Sequence, residues 1–221
     1  MVSNPAQAPA QAQTTSTTSE PPSSTASTVA PSTASTVPSG TATPTLPSGA
    51  TTPACEPADV VLAREPVRRV AAALAAAGLD AATVIRVLPV TGNTAVTAAA
   101  ALDCSTGAIA NSLIFTGGDK KPLLVLTSGG HRVDTRALGE RLGWSKSAIK
   151  RAKPELVKSA TGYSIGGVAP VGFPEPIRTI VDEELAKYPE SWAAAGHHQA
   201  VFSVSFEKLV EMTKGEVMKV D

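Results

Sequence analysis

A chain of 221 residues suffices for one ordinary domain with a tail. Lys+Arg and Asp+Glu both total 19, which excludes a nonspecific polyanion binder but leaves room for a local basic groove. With four Phe, two Trp and two Tyr, the core must be built from Ala, Val, Leu and Ile.

Residues 1–57 are Ser, Thr, Pro and Ala, with Ser-Thr-Ala-Ser-Thr-Val at 24–29 and again at 32–37. Their only charges are Glu20 and Glu56. Such a segment buries too little apolar surface to offset its ordering entropy, so a disordered tail over 1–57 and a domain over 58–221 are expected. All 19 basic residues then fall in the domain against 17 acidic ones, and Lys146, Lys150, Arg151, Lys153 and Lys158 bunch together. This run reads either as a solvated helix face or as a surface for an anionic partner.

The segment opens without the basic and apolar regions of a secretory signal, and the apolar stretch 70–79 is too short to span a membrane. The expectation is a cytoplasmic protein with no membrane partner. Cys55 and Cys104 are isolated thiols and make neither a disulfide framework nor a zinc site. Cys104 could serve as a nucleophile but has no supporting His or Asp at motif spacing, and with the thiols isolated no metal is expected.

Within the domain, an Ala/Leu/Val stripe predicts a helix over 65–77, with Gly78 at its end. Residues 83–89 read as a strand, and Asn93 or Thr94 caps a helix to Leu102. Strands 109–115 and 122–127 flank Thr-Gly-Gly-Asp-Lys-Lys as a β-hairpin. Helices follow over 134–142, stopped by Gly143, and over 154–160. A Gly/Pro-rich stretch covers 162–176. Strands are expected over 177–181, 191–195 and 200–204, a helix from the cap Ser205 to Met212, and a last strand over 216–220. Helices interleaved with at least one hairpin predict an α/β (α+β) domain with a mixed sheet.

Four segments could carry chemistry. Thr161-Gly-Tyr-Ser-Ile-Gly-Gly-Val-Ala-Pro-Val-Gly makes no regular element. The adjacent Gly166 and Gly167 can bring main-chain N–H groups to an anion or a developing oxyanion, or can form a plain tight turn. Trp192-Ala-Ala-Ala-Gly-His-His sets His197 and His198 at a strand–turn junction. Adjacent strand residues point to opposite faces, so the pair does not share a metal; His197 faces a substrate or belongs to a surface turn. In Ile-Ala-Asn-Ser-Leu-Ile-Phe, alternation puts Asn111 with Ile109 and Leu113, where a buried amide needs a partner or a ligand. In Ser128-Gly-Gly-His-Arg-Val-Asp, His131 and Arg132 could meet a phosphate, while an ion pair between Asp134 and Arg132 is the more natural reading.

In order, these segments resemble the YbaK/EbsC family, free-standing relatives of the editing domain inserted in bacterial prolyl-tRNA synthetases. The likeness rests on the Ile-Ala-Asn-Ser-Leu-Ile-Phe strand, the Arg-Val-Asp turn and the Gly-x-x-x-Pro loop at 166–170. Val-Asp-Glu-Glu-Leu, read as a helix start, Ala-Gly-His and the closing helix and strand complete it. It covers roughly residues 60 to 221.

The resemblance implies a mixed, barrel-like sheet surrounded by helices, and hydrolysis of the ester joining a wrong amino acid to tRNA, often tRNA for proline, with no cofactor. The implied partners are the aminoacyl-tRNA acceptor end and prolyl-tRNA synthetase. It assigns Gly166, Gly167, Asn111 and His197 to catalysis, the two glycine N–H groups as oxyanion donors. Ser112, Val168, Ala169, Pro170, Gly196, His131 and Arg132 are assigned to substrate binding. Two positions depart from the family. Asn111 replaces a lysine that engages the terminal nucleotide, and Val201 stands where the cysteine-clearing members have an aspartate. The expected function is a trans-acting deacylase; the alternatives are a catalytically silent aminoacyl-tRNA or nucleotide-binding module accessory to a synthetase, and a tethered protein-interaction domain.

Overall fold

The computed structural model describes residues 55–90, 94–145 and 147–221. The tail up to residue 54, Asn93 and Lys146 lie outside the described residues. Helices α1 (Ala58–Ala63), α2 (Glu65–Ala76) and α3 (Ala81–Val84) lead into strand β1 (Ile85–Val87). Helix α4 (Ala95–Leu102) and a 3₁₀ turn, Thr106–Ala108, precede β2 (Ile109–Thr116) and β3 (Pro122–Ser128). Then come α5 (Thr135–Arg141), β4 (Lys150–Arg151), α6 (Pro154–Thr161) and β5 (Arg178–Asp182). A second 3₁₀ turn, Glu183–Lys187, precedes β6 (Ser191–His197), β7 (Ala200–Val204), α7 (Phe206–Thr213) and β8 (Glu216–Met218).

The strands form one mixed sheet in the order β1-β7-β6-β2-β3-β5-β8, with β4 added to β2. The expected mixed sheet is present, but it is not closed: β1 and β8 are its two ends. The β2–β3 hairpin is antiparallel, whereas β2 with β6, β3 with β5 and β5 with β8 are parallel. Alternation along β2 divides the core. Ala110 and Ile114 join Val67, Val70 and Leu74 of α2, Val157 of α6 and Leu209 of α7. Phe115, on the opposite face, joins Leu138 of α5, and Ile109 joins Ala98 and Ala99 of α4. Helices therefore cover both faces.

Local chemistry accounts for the helix ends. Gly78, at φ 79°, closes α2: its own N–H donates to Ala75, and the Leu79 N–H donates to the Leu74 carbonyl. Thr94, Asp134 and Ser205 accept main-chain N–H bonds at the starts of α4, α5 and α7. Two expectations change. Residues 83–89 begin as α3 because the Asp80 side chain accepts from Ala82 N–H and Thr83 Oγ1, drawing the β-branched run into a helical turn before β1. Val-Asp-Glu-Glu-Leu opens a 3₁₀ turn, capped by Asp182.

Candidate functional site

Strand β2 is paired from Ala110 to Thr116 on one edge, by β3. On the other edge it is paired only at its ends: β6 meets Ile109 and Ala110, and β4 meets Phe115 and Thr116. The cause is a bulge in β6, where the register with β7 shifts between Ala194 and His197. Gly196 sits in it at φ 87°, and a Cβ there would lie 2.6 Å from the Pro66 carbonyl, so the backbone touches the start of α2 as only glycine can. The Ile114 carbonyl accepts from Ala152 N–H on the outer edge, and the Ile109 carbonyl accepts from Gly129 on the β3 side. By alternation, Ser112 turns its main-chain groups to the outer edge, where no ladder pairing covers it.

A cavity of about 220 Å³ opens at this gap. Its walls include Asn111, Ser112, Gly166, Val168, Arg151 and Trp192, with Ala95 and Ala98 of α4. The Ser112 hydroxyl oxygen is buried and has no hydrogen-bond partner among the described residues, an open valence in the cavity wall. Arg151 is exposed, its guanidinium 5.5 Å from the centre of the Phe115 ring. As the cross-strand partner of Phe115, Arg151 projects from the same sheet face as Asn111, four residues or roughly 13 Å along β2.

The glycine loop is held at its base. Tyr163 is fully buried and donates from its hydroxyl to the Val171 carbonyl at 2.8 Å. Arg69 lies over the Tyr163 ring at 4.4 Å. Gly166 takes φ 91° and is exposed, whereas Gly167, Val168, Ala169 and Pro170 are buried. The Gly167 N–H donates to the Ser164 carbonyl at 3.0 Å. Of the two candidate oxyanion donors, Gly167 therefore has its N–H engaged, while no main-chain hydrogen bond among the described residues uses that of Gly166. Gly167 serves contact instead: a Cβ there would stand 2.9 Å from the His197 Cα.

The structure brings Asn111, Ser112, Gly166 and Val168 together but separates the other sequence candidates. His197 lines a neighbouring hollow of about 430 Å³ with His198, Gly167 and Gly196; Ile165 borders both spaces. Pro170 lines a third groove and Ala169 is in the core. The histidines do not point apart as strand alternation predicts. The strand ends at His197, and the two rings lie 4.0 Å apart. Burial and then the neighbouring His198 lower the His197 pKa, so the ring is neutral at pH 7.

His131 lies elsewhere, with Nδ1 3.1 Å from Asp182 and Nε2 3.6 Å from Glu184. That carboxylate setting repels a phosphate. Arg132 is exposed, and the Asp134 carboxylate accepts from the Arg136 and Ala137 amides; no bond to Arg132 is among its contacts. Sequence reading missed Asp182, fully buried and accepting from Ser128 N–H at 3.0 Å. It also missed Arg151 as a cavity residue, because only the two-residue pairing of β4 carries that arginine to β2. Burial, then the charges of Asp103 and Glu190, raise the Cys104 pKa, which keeps the thiol protonated.

The aminoacyl-tRNA editing domain model matches residues 89–212. The chain is 24% identical over 122 residues to a protein of Enterococcus faecalis named "Putative Cys-tRNA(Pro)/Cys-tRNA(Cys) deacylase EbsC", covering 55% of this chain and 73% of that one. It is 25% identical over 120 residues to the uncharacterized protein YwhH of Bacillus subtilis, covering 54% and 74%. Its fold is similar to a crystal structure described as "a putative trans-editing enzyme for prolyl tRNA synthetase", with TM-score 0.65, 34% identity, and 72% and 98% coverage. This chain belongs to the aminoacyl-tRNA editing domain family, of YbaK type.

Proposed function

We propose that the protein is a trans-acting deacylase that hydrolyses the ester of a mischarged tRNA of the tRNA-Pro type. The observation that carries this reading is the cavity at the β2 gap, where an unpaired buried hydroxyl and an unpaired strand edge meet the Gly166 turn. At about 220 Å³ it has room for an aminoacyl group.

In this reading the aminoacyl group enters the cavity and its carbonyl oxygen turns to the Gly166 N–H. Water adds to the carbonyl carbon, and the oxyanion that forms is held by that N–H. The carbon–oxygen bond to the ribose breaks, the ribose oxygen takes up the proton released by water, and the products are free amino acid and uncharged tRNA. In this reading the adjacent ribose hydroxyl relays the proton, since His197 lines the other hollow. Asn111 offers hydrogen bonds without charge, and Arg151 supplies the cation for the terminal nucleotide's phosphate from the same sheet face. No organic cofactor or metal takes part in these steps. Prolyl-tRNA synthetase, the source of such mischarged tRNA, is the proposed protein partner.

The test is incubation of the purified protein with tRNA-Pro and other tRNAs mischarged with alanine, serine and cysteine. Loss of at least one ester well above its spontaneous rate is expected; spontaneous rates throughout would refute the reading. The uncharged Asn111 supports one rival, a silent binding module. Under that reading the wild type is inactive and Asn111→Lys gains activity.

A further inference from the structure

His197 and His198 are not absorbed by the cavity chemistry, yet they are not idle surface residues. Their hollow collects cationic and hydrogen-bond-donating side chains from three elements: Arg64 before α2, Lys158 on α6 and the two histidines at the end of β6. It meets the aminoacyl cavity across the glycine loop, Gly166 lining one side and Gly167 the other.

One carboxylate sits among these groups. Arg64 Nε and Nη2 donate to Glu56 at 2.8 and 2.6 Å, and His197 Nε2 lies 3.9 Å from Glu56 Oε1. A two-pronged arginine contact accepts a phosphate as readily as a carboxylate. The main chain of Glu56 is fixed independently of its side chain. Its N–H donates to Oε1 of the buried Gln199, whose amide donates in turn to the Leu88 carbonyl. The carboxylate can therefore swing away while the backbone stays docked.

We propose that this hollow is a subsite for a backbone phosphate of the tRNA acceptor strand, and that the Glu56 carboxylate stands in for that phosphate until RNA displaces it. The inference rests on the deacylase reading for the identity of the RNA. The hollow adjoins the cavity across the glycine loop, so an acceptor strand that leaves the cavity on that side meets the cations of Arg64 and Lys158. Glu56 lowers the cost of holding them together in the free protein and makes phosphate binding a competition.

The test measures binding of an uncharged tRNA-Pro acceptor-stem minihelix to the full-length chain by anisotropy, with no ester present. Glu56→Gln removes the competing charge and should tighten binding on the order of 3- to 10-fold. Arg64→Ala and Lys158→Ala should weaken it, and Glu56→Gln should give no gain in an Arg64→Ala background. Circular dichroism confirms folding of each variant, and Lys158→Ala keeps the test decisive if Arg64→Ala misfolds. Unchanged or weaker binding by Glu56→Gln overturns the proposal. So does a hollow that takes inorganic phosphate, read from the His197 ring resonances, without the minihelix competing. A protein that clears an ester yet shows no Glu56 effect loses only the subsite. One that shows the effect but clears no ester loses only the deacylase reading.

Discussion

At the scale of single residues, the site spends stability on open valences. A buried hydroxyl with no partner costs the folded state, so Ser112→Ala should leave the free protein unchanged or more stable by up to about 1 kcal/mol. The same change should lower deacylation if, as proposed, the substrate supplies the hydroxyl's partner. Urea unfolding and kcat/KM measured on one preparation give the two signs; a loss of both would make Ser112 a structural residue. Gly167→Ala should act oppositely. Its new Cβ meets main-chain atoms of His197, so the loop or the bulge must shift, at about 1–3 kcal/mol with loss of activity. Wild-type stability and rate in this variant would show that the loop adjusts freely. The glycine pair was legible in the sequence, but its division of labour was not. Which amide is free depends on the Ser164 turn, and composition does not encode that.

At the scale of elements, the legible ones were those whose ends are written in side chains. Thr94, Ser205 and Gly78 cap where the pattern places them, and the hairpin follows from two apolar runs about a Gly-rich turn. The hidden ones depend on tertiary partners: β4 is two residues long and exists through its pairing with β2, and the gap in β2 is the work of a bulge eighty residues away. Capping also sets an acid limit on stability. Main-chain N–H groups of Ala137 and Arg136 hold the Asp134 pKa below the usual carboxylate range, and the Arg178 guanidinium does the same for Glu216. A depressed folded-state pKa gives stability that is present above the unfolded value, about 4, and is lost as pH falls through the folded one. Asparagine caps as well as aspartate but does not titrate. Asp134→Asn should therefore match wild type at pH 7 and lose stability less steeply below pH 4 in denaturant melts at stepped pH; parallel acid limbs would remove Asp134 from the account.

At the scale of the molecule, the sequence boundary at 57 and the structure differ in consequence. The fold uses Glu56: its main chain bonds to Gln199, which bonds in turn to Leu88 just after β1, and its side chain is gripped by Arg64. We propose that the autonomous unit begins just before Glu56. A chain starting at Cys55 should melt with the full-length protein. One starting at Ala58 should melt lower, because it leaves the buried Gln199 amide short of a partner, at about 1–3 kcal/mol. The shorter chain should also bind the acceptor minihelix more tightly despite its lower stability, since it lacks the competing carboxylate. Stability and affinity moving in opposite directions on removal of three residues is an outcome that a mere linker at 55–57 does not produce. Two identical melting curves would return the boundary to 57.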